Sequence, residues 1–341
     1  MPAIQGVELS RRFYAEVVGP WLDRDYPELR HAAALIGSGS EVLGFDDEMS
    51  RDHDFGARVQ LYLADDDVRA FGDTLMRRFA DDDRGELEVW TARRALAHWL
   101  AIDPDAPLTA RGWLGLAEQR LLSFTAGAVF HDGIGELTAL RERFAYFPRD
   151  VWTYQLACQW RRIAEEQAFV GRTGMVGDEL GSRVIAARLV RDAMRLAFLI
   201  SRRYAPYPKW FGRAFQTLPC AGELYPILDR VLTASDWRLR EAALADSYLA
   251  LANLHLAGAL PGSFRPRIGP YFSRPFVVIN ADEIAAAIRA QITDASLRDL
   301  PLIGSLDQVT DSTPVVEAPA AAQGAMRALF DHVETGALEE T

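Results

Sequence analysis

A glycine and serine turn at the end of an apolar run is the stretch of this sequence best suited to chemistry. The apolar run covers residues 32–36 and ends in Gly-Ser-Gly-Ser at 37–40. This pattern is typical of a buried strand that enters a tight turn, because glycine tolerates positive φ. If residues 41–44 open a helix, its free N–H groups and the serine hydroxyls would suit an anion. We therefore expect Gly39 and Ser40 to contact phosphate.

Two aspartates follow the turn. Asp52 and Asp54 stand two positions apart, so on a strand both carboxylates would project from one face and His53 from the other. Mg²⁺ is commonly bound through one or two carboxylates and completes its coordination with water and substrate phosphate. The spacing therefore predicts a magnesium site at Asp52 and Asp54.

The order of strand, Gly-Ser, three residues, Gly and Asp-x-Asp resembles the signature of the polymerase-beta-type nucleotidyltransferase superfamily. The matching residues are Gly39, Ser40, Gly44, Asp52 and Asp54, and only the polar residue between the aspartates departs from the usual pattern. A second resemblance is to an uncharacterised bacterial family, domain of unknown function 4037. It rests on the sequences LIGSGSEVLGFDDEMSRDHDFG, DELGSRVIAARLVRDAMRL and PLIGSLDQVTDST.

The superfamily resemblance implies transfer of a nucleoside monophosphate from a triphosphate, with ATP favoured, to a hydroxyl or amine of an acceptor. It also implies two Mg²⁺ ions and a third carboxylate on the next strand. The segment ELEVW at 86–90 is that strand, and Glu88 is preferred to Glu86 because it lies in mid-strand. The general base stays open between Glu88 and Glu179.

Strand patterns fade after the first third of the chain, and helical patterns dominate from Thr91 onward. The short apolar run PFVVIN at 275–280 could form an edge strand. We expect a small mixed-sheet nucleotidyltransferase domain over 1–105 and a helical, bundle-like domain over 106–313. The fold class is therefore α/β plus all-α. Residues 314–341 are expected to form a weakly held helix or tail.

The helix predicted from Asp178 to Arg203 carries a charged stripe with two interpretations. The members of the stripe are Arg188, Arg191, Asp192 and Arg195. As an outer face it would be a solvated row with pairing of residues 188 and 192. As an inner face it would offer guanidinium groups to phosphate, and Arg191 is then a nucleotide contact. Asp307 and Asp311, within the third quoted segment, receive no role from the sequence.

Lys209 is the only lysine among the 37 basic residues of the chain. Lysine is a compact ammonium on a flexible stem and can follow a moving phosphate, whereas the guanidinium of arginine is planar and always charged. We therefore predict that Lys209 contacts the triphosphate and assists catalysis. The alternative is a surface residue left over by chance.

Composition limits the partners. The net charge of -11 opposes nucleic-acid binding and favours a small-molecule acceptor that is neutral or cationic. No run of about 18 apolar residues is present, so we expect a cytoplasmic protein without membrane contact. The two cysteines, Cys158 and Cys220, are expected to be buried thiols. A homo-oligomeric state is possible. Two alternative functions are also compatible with the sequence: a non-catalytic nucleotide- or partner-binding protein, and an antitoxin-type enzyme that adenylylates a protein.

Overall fold

The computed structural model describes residues 5–49 and 56–334, the last without its side chain. The chain divides into two compact units. The first unit combines Met1–Leu108 with Gln119–Ala145, and the second combines Thr109–Glu118 with Tyr146–Thr341. The predicted α/β plus all-α fold class is confirmed.

A four-stranded mixed sheet forms the centre of the first unit. Its strands are β1 (Ala32–Leu35), β2 (Arg58–Tyr62), β3 (Glu86–Trp90) and β4 (Ala128–Asp132). They lie in the order β3-β2-β1-β4. Strands β2 and β3 are parallel, whereas β1 is antiparallel to both of its neighbours. The predicted strands at 32–36 and 86–90 are therefore confirmed.

One face of this sheet is covered by helices and the other carries polar groups. The chain up to residue 145 forms α1 (Gly6–Phe13), a π-helical turn (Tyr14–Val18), α2 (Gly19–Asp25), α3 (Asp65–Arg78), α4 (Ala92–Leu100), α5 (Ala110–Leu114), α6 (Glu118–Thr125) and α7 (Glu136–Arg143). Val59, Leu61, Leu87 and Val89 point into the apolar core beside α1, α2 and α3. Because side chains alternate along a strand, the intervening polar residues of β2 and β3 lie on the opposite face.

Strand β4 lies in a segment for which the sequence predicted helix. The first unit also continues past the domain boundary that was predicted near residue 105. Residues 119–145 belong to the first unit because β4 pairs with β1. Gly127 ends the preceding helix with φ +70°, and a Cβ there would overlap the carbonyl oxygen of Leu35. Only glycine therefore lets the chain turn from helix into the edge strand at this point.

The second unit is mainly helical. Besides α5, it contains α8 (Arg149–Glu166), α9 (Phe169–Met175), α10 (Glu179–Ile200), α11 (Pro208–Phe215), α12 (Ala221–Thr233), α13 (Trp237–Ala257), the hairpin β5 (Ile268–Tyr271) and β6 (Arg274–Ile279), then α14 (Ala281–Arg289), α15 (Ala295–Arg298), α16 (Leu306–Val309), α17 (Thr313–Val316) and α18 (Pro319–Glu334). Helix α10 packs against α8 and α13. Trp152 and Trp160 are buried in this unit.

The C-terminal segment, expected to be a weakly held helix or tail, contains helix α18. Helix α18 places Ala322, Met326, Phe330 and Val333 in the core, at the spacing of one helical face. It contacts α5 of the same unit. None of the described helices has the length and apolar character needed to cross a membrane.

Candidate active site

Three glycines shape the turn after β1, and residues 41–44 do not form the helix that was considered there from the sequence. Gly37, Gly39 and Gly44 have φ of +106°, +138° and +71°. Residues 41–44 form hydrogen-bonded turns, in which Gly44 N–H donates to Glu41 O and Phe45 N–H to Ser40 O. A helix dipole therefore does not contribute at this turn, and anion binding would depend on individual donors.

A buried glutamine holds the start of the turn. The Gln60 side chain accepts from Ile36 N–H at 3.0 Å and donates to Ile36 O at 3.1 Å. Gly37 N–H donates to Ser123 O at 2.8 Å. A Cβ at Gly37 would overlap the indole ring of Trp99, so glycine is required both by φ and by this close approach. The backbone that enters the turn is therefore fixed from three sides.

An ion pair occupies the space beside Gly39. Arg58 Nη2 donates to Glu41 Oε1, and a Cβ at Gly39 would overlap that carboxylate. The Arg58 Nε is buried and has no hydrogen-bond partner in the described part of the chain. Arg58 thus places a cation beside the turn, where it is held by the Glu41 carboxylate.

A cavity of about 170 Å³ opens on the polar face of the sheet. It is lined by Leu35, Ile36, Ser38, Arg58, Val59, Gln60, Glu86, Glu88, Trp90, His98 and Trp99. Ser38 is exposed and contributes to this lining, whereas the predicted contacts Gly39 and Ser40 lie outside it, with Ser40 only 9% exposed.

Both candidate third carboxylates reach the cavity. Glu88 lies beside Gln60 in the parallel register and Glu86 lies beside Arg58. Glu88 Oε2 accepts from Trp90 Nε1–H at 2.9 Å and is 3.5 Å from Gln60 Nε2. Its residue is nevertheless exposed to solvent. A carboxylate that is positioned by two side chains and open to solvent can bind a cation.

The predicted metal ligands Asp52 and Asp54 lie outside the described residues. Within residues 5–49 and 56–334, no group of three or more His, Cys, Asp or Glu side chains could hold a metal ion. Glu86 and Glu88 line the cavity and carry the carboxylate oxygens that Mg²⁺ prefers.

His98 was not identified from the sequence. It lines the same cavity, and its ring lies 5.3 Å from that of Trp90 and 4.9 Å from that of Trp99. Burial lowers the pKa of His98, and the nearby charge of Arg120 lowers it further. The imidazole is therefore neutral at pH 7 and can accept a proton. A histidine on a helix after a strand gives no distinctive sequence signal.

Lys209 and Glu179 lie in the second unit. Lys209 is the second residue of α11, is exposed, and places its Nζ 4.8 Å from the centre of the Trp210 ring. Glu179 begins α10 and forms an ion pair with the buried Arg240, the closest atoms being 3.3 Å apart. Glu179 thus compensates a buried charge.

The charged stripe on α10 lines a second cavity. Its ion pairs differ from the pair of Arg188 with Asp192 that the outer-face interpretation predicted. Arg188 pairs with Glu166 at 3.1 Å instead of Asp192, and Arg191 pairs with Asp311. Asp307 Oδ2 accepts from the Glu118 N–H at 2.8 Å. The two aspartates near the C-terminal end therefore have contacts that the sequence did not reveal.

Comparison with known proteins gives a family match and a distant structural likeness. No curated protein matches the chain. A crystal structure of a nucleotidyltransferase-like protein from Exiguobacterium sibiricum 255-15 is similar at 12% identity, covering 76% of this chain and 82% of that chain with a TM-score of 0.34. The family model described as Domain of unknown function (DUF4037) matches residues 113–211. Of the three segments that suggested this family, residues 178–196 lie inside the match, and the predicted resemblance to it is confirmed.

Proposed function

We propose that the first unit is a Mg²⁺-dependent nucleotidyltransferase that transfers a nucleoside monophosphate, from ATP in preference to other triphosphates, to a hydroxyl or amine of a small acceptor. The observation that carries this proposal is the shared cavity of the glycine and serine turn and Glu88. Ser38 and Glu88 both line this cavity. The Gln60 side chain hydrogen-bonds to the backbone of Ile36, two residues before Ser38, and its amide nitrogen lies 3.5 Å from the Glu88 carboxylate. A hydroxyl that could donate to a phosphate and a carboxylate that could bind a cation therefore line the same cavity.

In the proposed reaction the acceptor oxygen or nitrogen attacks the α-phosphorus, its proton passes to a base, and pyrophosphate leaves. Asp52, Asp54 and Glu88 would hold two Mg²⁺ ions, which supply positive charge to the triphosphate. Arg58, whose side chain lines the cavity, would contact a phosphate oxygen through its guanidinium group. His98 joins Glu88 as a candidate base, since it is neutral at pH 7. Lys209 and Arg191 stay predictions for triphosphate contacts.

The test is a thermal-shift and pyrophosphate-release panel of the four ribonucleoside triphosphates, with and without Mg²⁺. We expect ATP with Mg²⁺ to raise the melting temperature of the wild-type chain, and Asp52→Asn and Asp54→Asn to abolish that shift. Glu88→Gln should reduce pyrophosphate release at least tenfold, whereas the matched Glu86→Gln on the same strand should keep most of it. The reverse order would transfer the role to Glu86.

The exposure of Glu88 favours one alternative, a nucleotide-binding protein without catalysis. That alternative predicts a Mg²⁺-dependent ATP shift without pyrophosphate release, even when candidate amine and hydroxyl acceptors are supplied. Full retention of the ATP shift in Asp52→Asn and Asp54→Asn would contradict both functions. An enzyme that adenylylates a protein is distinguished by transfer of labelled AMP to a protein band.

A further inference from the structure

The second unit contains a cavity of about 330 Å³ lined by charged side chains. The lining residues are Arg162, Arg188, Arg191, Asp192, Arg195, Asp307, Gln308, Val309, Thr310 and Asp311. Four arginines and three aspartates leave one positive charge in excess, although the whole chain carries a net charge of -11. We call this cavity the arginine cavity; Glu166 and Glu118, which are not among its lining residues, pair with Arg188 and Arg195.

Buried polar side chains hold the inner arginine in position. Asp192 is almost completely buried and accepts from Gln159 Nε2 at 3.0 Å and from Arg162 Nε at 3.2 Å. Arg162 Nη1 also donates to the Gln308 carbonyl at 2.7 Å, and Gln308 Nε2 donates to Gln159 Oε1 at 2.9 Å. Because these groups satisfy one another, the guanidinium is fixed before any ligand arrives.

The outer arginines keep most of their donors available. Arg188 and Arg191 lie three residues apart on α10, so their side chains are neighbours on one face. Each forms an ion pair through Nη1, with Glu166 and Asp311 respectively. A guanidinium has five N–H donors, and within the described residues no other hydrogen bond is made by either group. Several donors on each side chain therefore face water or a ligand.

A carboxyl pair beside the arginine cavity adds to its positive character near neutral pH. Glu118 N–H donates to Asp307 Oδ2, and Glu118 Oε1 lies 3.6 Å from Arg195. Burial and the charge of Asp307 raise the pKa of Glu118 to about 7, and burial also raises the pKa of Asp307. The pair therefore retains a proton where most carboxyls are ionised, which leaves Arg195 less completely neutralised.

From this geometry we infer that the arginine cavity is a binding site for a doubly charged oxyanion of the phosphate class. Arg188 and Arg191 contact the oxyanion, and Arg162 and Arg195 line the pocket behind them. Paired guanidiniums suit a phosphate because their N–H groups match its oxygens. The volume corresponds to about ten water molecules at about 30 Å³ each, so a phosphate ester with a small organic part also fits. This inference does not require the proposed function, although Arg191, which was predicted to contact the triphosphate, lines this cavity.

Asp311 competes with the ligand for Arg191. Its side chain is 61% exposed and its described ion-pair partner is Arg191, so it can swing into solvent when an oxyanion replaces it. Opposite effects follow for the two members of this pair. Loss of Arg191 should weaken oxyanion binding, and loss of the Asp311 charge should strengthen it.

The experiment is isothermal titration of the full chain with sodium sulfate and, separately, with pyrophosphate, at constant ionic strength and without Mg²⁺ or nucleotide. Arg191→Gln should weaken sulfate binding at least tenfold, as expected for loss of a charge-assisted contact. Asp311→Asn should tighten it severalfold. Wild-type binding should also be tighter at pH 6 than at pH 8, because sulfate keeps its charge while the carboxyl pair gains a proton.

Arg230 and Asp246 provide matched controls. They form an ion pair in the same unit, with side chains 59% and 58% exposed, outside the arginine cavity. Arg230→Gln and Asp246→Asn should leave sulfate binding unchanged. If Arg191→Gln does not fold, Asp311→Asn decides the question, because it removes no arginine. Absence of saturable binding, equal weakening by Arg230→Gln, or pyrophosphate binding lost only in Arg58→Gln would overturn the inference.

Discussion

Replacing Glu118 by glutamine should remove a pH dependence of stability from the second unit. Glu118 Oε2 accepts from the Ala205 N–H at 2.8 Å, and the carboxyl is buried beside Asp307. Its folded-state pKa of about 7 lies above the ordinary value of 4.5. The folded chain therefore holds this proton more tightly than the unfolded chain. The resulting stabilisation is complete below about pH 4.5 and is lost as the pH rises through about 7.

The size of the effect follows from the same two values. A rise from 4.5 to about 7 corresponds to about 3 kcal/mol, because a tenfold change in an equilibrium constant is about 1.4 kcal/mol. Between pH 5 and pH 8 the wild-type chain should therefore lose up to about 3 kcal/mol of unfolding free energy that Glu118→Gln does not lose. Any cost of the substitution that does not depend on pH cancels in this comparison.

Urea unfolding at pH 5, 6, 7 and 8, followed by tryptophan fluorescence, measures the difference. Amide hydrogen exchange at Ala205 gives a local readout of the same bond. The control is Glu165→Gln, at an exposed glutamate on α8 that pairs with Arg161. If the wild-type and Glu118→Gln curves run parallel across the four pH values, the carboxyl pair does not hold the proton and the reasoning fails.

Two further predictions concern the turn of the candidate active site. Gly37→Ala should destabilise the chain by about 2–6 kcal/mol, because it combines an unfavourable φ with overlap of the Trp99 ring. At Gly44 φ is positive, but no atom of the described residues lies within 4 Å of an added Cβ, so thermal unfolding of Gly44→Ala should show a smaller loss of about 1–2 kcal/mol; equal losses would contradict the packing argument. Gln60→Leu should cost about 2–4 kcal/mol by leaving Ile36 N–H and C=O unpaired, and should weaken ATP binding in the thermal-shift panel. Wild-type ATP affinity in a folded Gln60→Leu chain would show that the turn does not position the triphosphate.

The sheet of the first unit was largely predictable from alternation of side chains. Leu87 and Val89 face the core and Glu86 and Glu88 face the cavity, as the period of two requires. Strand β4 was not predictable in the same way, since its five residues follow directly on a helical pattern and Gly127 is one glycine among 25.

The sequence predicted the candidate sites less well than it predicted the helices and strands that carry them. Ser38 lines the cavity, whereas Ser40 was predicted to contact the phosphate. Which serine faces the cavity depends on the turn geometry, which the sequence Gly-Ser-Gly-Ser does not specify. The pairing of Arg191 with Asp311 joins residues 120 positions apart, and no local periodicity reports such a contact. Composition did identify arginine as the dominant cation, but not that four arginines share a cavity.

The interrupted path of the chain through the first unit affects how the protein can be dissected and how it is made. A fragment that stops at residue 108 would lack β4 and expose the backbone N–H and C=O groups of one edge of β1. Such an open edge recruits other chains, so this fragment should aggregate. During synthesis the sheet likewise cannot close until residue 132 has emerged, after the first ten residues of the second unit have already been made. The first unit is therefore completed only after part of the second unit has been made, and a gene fragment for it has to extend to residue 145.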